Sequence, residues 1–380
     1  VPPMGGDNSD LMVLFVVVTL RFVIPLFIPR FPLPAILAAL VLDAADQTIF
    51  QQFTNLNLDG YQSYDKALDI YYLTIAFLAV YRNWANTMAV DVARFLWYYR
   101  LVGVWLFEVF QQRWLLFVFP NTFEYFFIAI IAVRTMWDPR RLSNRAVIAT
   151  AAFIWIVIKL PQEWWIHIAQ NDFTDFMKET VFGVENTDSW GTALTNRPLV
   201  TVAIAAALAG AAALAIWFYR RAPQHDWRFT VDVDKPVPAV DVPAQPPLRL
   251  FPPFAEKLVL LGLIAAIYAN VLELDATLLQ MVAATILVIG VTVGVSELLS
   301  RRGVEWSSIG LQFVVLALLN AIVLSVFAQL FGDGINRALS LFFGLLLTMI
   351  VVLYDRFLGE RTGRLARRDR GIEPVAPTPA

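Results

Sequence analysis

The chain has 380 residues, 58% hydrophobic and 16% charged, with a mean hydropathy of +0.62 and a net charge of −2. A soluble domain carries about 45–50% apolar and about 25% charged residues, so the composition points away from one and toward a membrane protein. Zero cysteines and two histidines exclude disulfides, thiolate nucleophiles, iron–sulfur clusters and histidine-rich metal sites, and the near-neutral charge predicts no nucleic-acid partner.

Eleven apolar runs read as bilayer-crossing helices, near residues 11–29, 34–53, 66–84, 88–110, 115–137, 146–168, 198–219, 256–272, 277–299, 308–331 and 338–355. Each suits a hydrocarbon layer of about 30 Å at about 1.5 Å per residue. The predicted fold class is therefore all-α, a polytopic integral membrane bundle of about 11 spans. Lys and Arg gather in alternate connections, which predicts an outside amino terminus and a cytoplasmic carboxyl terminus in the plasma or inner membrane. Val1 to Asp10 lacks the basic region of a signal peptide. Trp84, Trp114, Trp137, Trp164, Trp165, Trp217, Tyr219 and Trp306 mark span ends.

Taken in order, span 1 carries Arg21, and span 2 carries Asp43-Ala-Ala-Asp46-Gln47. Span 3 holds Asp69, with Asp65 one turn outward. Span 4 contains Asp91 and Arg94, expected to pair locally, then Arg100 and Glu108. Only Gln111 to Trp114 separates span 4 from span 5, where Pro120-Asn121 predicts a break before Glu124. Span 6 reads Lys159-Leu-Pro-Gln-Glu163-Trp-Trp-Ile-His167, and Pro161 predicts a kink. Asn171 to Asn196 suits a helix on the outer interface. Span 7 presents Ala203, Ala207, Gly210 and Ala211.

Eight prolines between Pro223 and Pro253 make the next stretch a linker, although Trp227 to Asp234 alternates like a short strand. Spans 8 to 11 are nearly free of charge, and Gly290 and Gly294 favour close helix packing. Four regions result. Residues 1–219 form a polar-lined bundle whose spans 1–6 hold the functional residues. Residues 220–254 form a Pro-rich cytoplasmic linker, 255–356 an apolar scaffold, and 357–380 an Arg-rich cytoplasmic tail suited to anionic lipid. The expected partners are the lipid bilayer and either a homo-oligomer or a larger membrane complex. No cofactor is assigned.

Charges inside a bilayer are costly and must face one another or water. Depth along the helices pairs Arg21 with Asp43 and sets Arg100, Glu124 and Lys159 in one layer of charge pairing. Asp43, Asp46, Gln47, Asp69, Glu108, Glu163 and His167 then form an outward-facing acidic site with few cations beside it. Such a site suits a proton- or cation-coupled transporter or channel. Two alternatives stay open: an accessory subunit of a larger complex, or a transferase acting on a lipid-linked or prenyl diphosphate. For the last, Asp43-x-x-Asp46 and Asp65-x-x-x-Asp69 loosely resemble the two aspartate motifs of membrane prenyltransferases. That resemblance covers only these stretches and implies a Mg²⁺ held against a diphosphate. The motif's opening asparagine is missing, since Leu42 precedes Asp43.

Overall fold

The computed structural model describes residues 8–54, 61–171, 173–237, 253–271, 278–301, 309–331 and 337–369. The chain is 83% helical with no strand among the described residues, in agreement with the all-α expectation. Its helices are α1 (Asn8–Val23), closed by a 3-10 turn (Ile24–Phe27), α2 (Pro32–Phe53), α3 (Tyr61–Asn83) and α4 (Thr87–Phe110). The short α5 (Trp114–Val118), α6 (Thr122–Arg134), α7 (Asn144–Ile168) and α8 (Pro198–Arg221) follow. Then come α9 (Pro253–Val271), α10 (Leu278–Arg301), α11 (Ile309–Phe331) and α12 (Arg337–Asp369). Every apolar run read from the sequence falls on helix, the fifth being shared by α5 and α6. Four helical segments are long and apolar enough to cross a membrane: Ser9–Phe27, Trp114–Arg134, Asn144–Ile168 and Pro198–Arg221.

Local chemistry sets the boundaries. Pro32 and Pro198 sit in the first turns of α2 and α8, where a missing N–H costs little. Asn86 and Ser143 cap α4 and α7 by accepting the Ala89 and Ala146 N–H groups at 3.0 and 3.2 Å. Gln111 takes a left-handed conformation (φ 52°) that ends α4, so the apolar runs at 88–110 and 115–137 do not share a helix. The predicted kink at Pro161 takes a different form. α7 is π-helical at Ile154–Lys159 and again at Trp164–Ile168, with Pro161 in the α-helical turn between them. A wider turn beside a proline relieves the clash between its ring and the preceding carbonyl.

α3 is the central post. From Ala67 to Tyr81 nearly every side chain is buried, and the helix touches α1, α2, α4, α9 and α12. One apolar core therefore runs from the first helices through α3 into α9 and α12. Polar stitches tie it. Glu256 of α9 accepts from Tyr81 and lies 3.8 Å from Arg94, and Lys257 pairs with Asp355 of α12 at 2.6 Å. Arg94, expected to pair within its own helix, reaches across to α9 while Asp91 stays within electrostatic range. Thr292, Asn320 and Thr348 form a buried hydrogen-bonded ladder across α10, α11 and α12 at 2.9 and 2.6 Å. Sequence pattern alone had shown those helices only as apolar. α8 is the opposite case, with none of its side chains buried.

The predicted strand at 227–234 is absent. That stretch is instead an irregular strap laid over the helix ends at 28–31, 82–86 and 134–141. The Asp226 and Thr230 N–H groups bond the carbonyls of Met136 and Thr135, and that of Val233 bonds Arg30. Ion pairs join Arg30 to Asp232, Arg82 to Asp234 and Arg141 to Asp226 at 3.3, 2.7 and 3.0 Å. Helix ends leave carbonyls and amides unsatisfied, so an isolated segment finds more partners there than by pairing with itself. These ends define one face of the bundle. The ends near residues 54, 61, 111 and 169 define the other, toward which the site residues gather.

Candidate functional site

Two constellations of charge lie between the helices. The first is built by α1, α2 and α3. Asp43 and Asp46 are three residues apart on α2, Asp65 and Asp69 four apart on α3, so each pair shares a helix face. Arg21, in the last turn of α1, reaches all four. One guanidinium nitrogen bonds Asp46 and Asp65 (2.6 Å), and the other bonds Asp43 and Asp69 (2.7 Å). The forked guanidinium offers enough donors for this in a single plane. Helical side chains lean toward the N-terminus of their own helix, so Arg21 and the aspartates of antiparallel α2 lean toward one another.

The cluster is closed at its root and open at its rim. Arg21 and Asp46 are buried, whereas Asp43, Asp65 and Asp69 keep 26%, 36% and 37% of their side chains exposed. Oxygens of Asp43, Asp46 and Asp65 all lie within 4.8 Å of one another. An all-oxygen set this tight suits a hard cation with bonds of about 2.0–2.6 Å. Four carboxylates against one guanidinium leave an excess of negative charge that burial makes costly.

The second constellation sits where the chain breaks between α5 and α6 and where α7 widens into π-helix. Between α5 and α6, at Phe119–Asn121, Arg100 donates to the Phe119 carbonyl at 3.0 Å and Tyr99 to that of Val118 at 2.9 Å. Gly103 lets α4 lie against this break; a Cβ there would stand 2.0 Å from the Cβ of Phe119. Asn121 links two carboxylates, its N–H donating to Glu163 at 3.3 Å and its side-chain amide to Glu124 at 3.0 Å. Glu124 also accepts from Tyr72 of α3 at 2.6 Å, and Glu163 pairs with His167 at 3.1 Å. Lys159 is buried, 3.9 Å from the centre of the Tyr125 ring, within electrostatic reach of Glu124, Glu163 and Arg100. Here two cations face two carboxylates.

The structure thus redistributes the residues that the sequence suggested. The expected Arg21–Asp43 pair is present, but Arg21 also holds Asp46 and Asp69, which the sequence reading had left without a cation. Glu163 and His167 join Glu124, Lys159 and Arg100 rather than the aspartates. Glu108 pairs with Lys66 at 3.0 Å. Gln47 lies on α2, and its side chain falls outside the described residues. Depth arithmetic orders groups along a helix and says nothing of rotation about it, which is why one expected group became three. Lys66 and Tyr72 were missed. Tyr72 could have been found, standing one turn after Asp69 on the same face.

This chain matches no protein-family model, no curated protein and no solved structure.

Proposed function

We propose that this is an integral membrane protein of eleven spans, amino terminus outside and carboxyl terminus cytoplasmic, that moves a cation or protons across the cell membrane. The working site in this reading is the cluster of Asp43, Asp46, Asp65 and Asp69 around Arg21. One observation carries it: two adjacent helices direct four carboxylates onto a single buried arginine. Ionisable groups at such depth are expensive, and structural pairing needs one partner for an arginine rather than four. The surplus charge is what a mobile cation or proton would compensate. The break between α5 and α6 and the π-helical turns of α7, both beside charged groups, add support, because irregular backbone next to ionisable side chains recurs in carrier sites. The helices before the 220–254 linker do the work in this reading, and those after it serve as scaffold.

Ion flux into liposomes carrying the purified protein tests this, wild type beside Asp46→Asn. Flux in the wild type that disappears in the variant is the expected result. Absence of flux over a range of pH and of Na⁺, K⁺ and Mg²⁺ refutes transport.

One observation favours a second reading. Three carboxylate oxygens within 4.8 Å also suit a divalent ion held against a diphosphate, the task of a membrane-embedded transferase. Release of diphosphate from a prenyl or lipid-linked donor, dependent on Mg²⁺ and lost in Asp43→Asn, separates it from transport.

A further inference from the structure

The helices that carry the aspartate cluster, α1 to α3, meet again at the face covered by the strap, and there the charge is reversed. The turn between α1 and α2 brings Arg30, and the last turn of α3 brings Arg82. Two carboxylates of the strap lie between them. Asp232 is 3.3 Å from Arg30, and Asp234 is 2.7 Å from Arg82 and 3.9 Å from Arg30. The Val233 N–H donates to the Arg30 carbonyl, and the Asp234 N–H to the Asp232 carboxylate, both at 3.0 Å, so backbone bonds aim the two side chains. Arg82 and Asn83 donate to the Pro29 carbonyl at 2.5 and 3.0 Å, and Arg82 has Glu360 of α12 at 3.8 Å. Ile28, next to Pro29 in the same turn, is fully buried.

Two arginines from separate segments repel one another unless carboxylates stand between them, and the strap supplies those carboxylates. It is lightly held. The Arg30 and Asp234 side chains are 59% and 43% exposed, and Phe229 of the strap faces outward. Exposed ion pairs are individually weak, and segments that bury few apolar groups are the first to open. α3 is buried along almost its whole length, so the weak seam is the one between its end and the α1–α2 turn. At the other end of the same three helices Asp65 and Asp69 keep 36% and 37% of their side chains exposed. This three-helix unit is open where it holds its aspartates and fastened where it holds its arginines.

We propose that Asp232 and Asp234 latch the α1–α2 turn to the end of α3, and that this latch is the gate opposite the open rim of the aspartate cluster. The proposal rests on the carrier reading above, because a carrier exposes its site to one side at a time. When the two carboxylates leave Arg30 and Arg82, the arginines separate, the turn parts from α3, and Ile28 meets water.

A chain without cysteine makes that opening readable. Full-length Ile28→Cys protein in lipid nanodiscs is treated with a hydrophilic maleimide at neutral pH. Labelling should be slow, and about tenfold faster once Asp232→Asn and Asp234→Asn are added, since reaction at a buried group follows the population of the open form. Asp234→Glu, which keeps the charge, should leave it slow. Leu346→Cys, placed at a fully buried position of α12, should stay unlabelled in every background. Na⁺, K⁺ and Mg²⁺ chlorides are then added in turn at constant ionic strength. A cation bound at the aspartates should change labelling at position 28 about fivefold or more, the usual size of coupling between sites, and Asp46→Asn should remove that response.

Labelling at position 28 that is unchanged by loss of both carboxylates overturns the latch. Labelling gained equally at position 346 overturns it too, because the strap would then be holding the whole fold rather than one seam. A gain confined to position 28, with no response to any cation, supports the latch and fails the carrier reading instead.

Discussion

The aspartate cluster and the mixed-charge constellation lie toward the same end of the bundle, share α3, and obey different charge rules. Around Glu124 and Glu163 the cations Arg100 and Lys159 bring the count to balance, and the hydrogen-bond partners come from α3, from the α5–α6 break and from α7 itself. Around Arg21 four carboxylates share one guanidinium, and three of them remain partly exposed. A balanced set needs nothing further in order to be stable. An unbalanced one is stable only if something else neutralises it, and that asymmetry separates a joint from a site.

The sharpest way to break the comparison is Arg21→Ala. Removing one partner of a buried ion pair costs about 3–5 kcal/mol, and here four carboxylates lose it at once. Thermal unfolding in detergent should show a large loss of stability, partly restored by adding Asp43→Asn. A double variant no more stable than the single one would mean that Asp43 is not held by Arg21 to any consequence. Adding Na⁺ or Mg²⁺ sharpens the outcome. A cluster that binds cations should recover stability with added cation in Arg21→Ala more than in wild type.

Gly103→Ala should come next in size, acting on the mixed-charge constellation alone. Its new methyl group would meet the Phe119 side chain at 2.0 Å, too close for any rotamer change to relieve, and overpacking of this kind costs about 1–3 kcal/mol. The helix break would shift and Arg100 would lose its carbonyl partner, so the NMR signal of His167 should move. Cation binding at the aspartates should not change. A Gly103→Ala protein with altered cation affinity would show that the two constellations are one.

Much of this was legible beforehand. All eleven apolar runs fall on helix, because hydrophobic length is a property of composition and needs no tertiary information. The break at Pro120–Asn121 follows from the chemistry of proline itself, whereas the widened π-helical turns that accommodate Pro161 do not. The Arg21–Asp43 pair came from matching depth on helices joined by a short turn. What stayed hidden depends on rotation and on packing between distant segments. Glu108 turned to Lys66, Glu256 of α9 met Tyr81 and Arg94, and Trp227–Asp234 bonded to helix ends instead of forming a strand. No sequence period reports those choices.

The ladder of Thr292, Asn320 and Thr348 offers a control outside both constellations. In the proposed membrane setting a hydrogen bond between helices is worth on the order of 1 kcal/mol, so Asn320→Leu should lower the unfolding temperature only slightly. Cation binding and the His167 titration should both stay as in wild type. If either changed, α10 to α12 would have to be counted as part of the site rather than as support for it.

The smallest effect belongs to the strap. Burial alone would raise the Asp232 carboxyl, but hydrogen bonds from Arg30 and from the Asp234 N–H, with Lys235 nearby, hold it below the usual aspartate range. A group depressed on folding contributes stability above its unfolded value of about 3.9, and loses it as pH falls through the lower folded value. The strap should therefore stay docked at neutral pH and loosen only in strong acid. Because its ion pairs are partly exposed and joined by backbone bonds to Met136, Thr135 and Arg30, Asp232→Asn should release it locally without unfolding the bundle. Limited proteolysis between Arg220 and Lys235 reads this directly, with faster cleavage expected in the variant. Equal cleavage would mean that the backbone bonds suffice. A variant that also altered His167 would tie this face of the bundle to the charged constellations at the other, which is the coupling an alternating carrier requires.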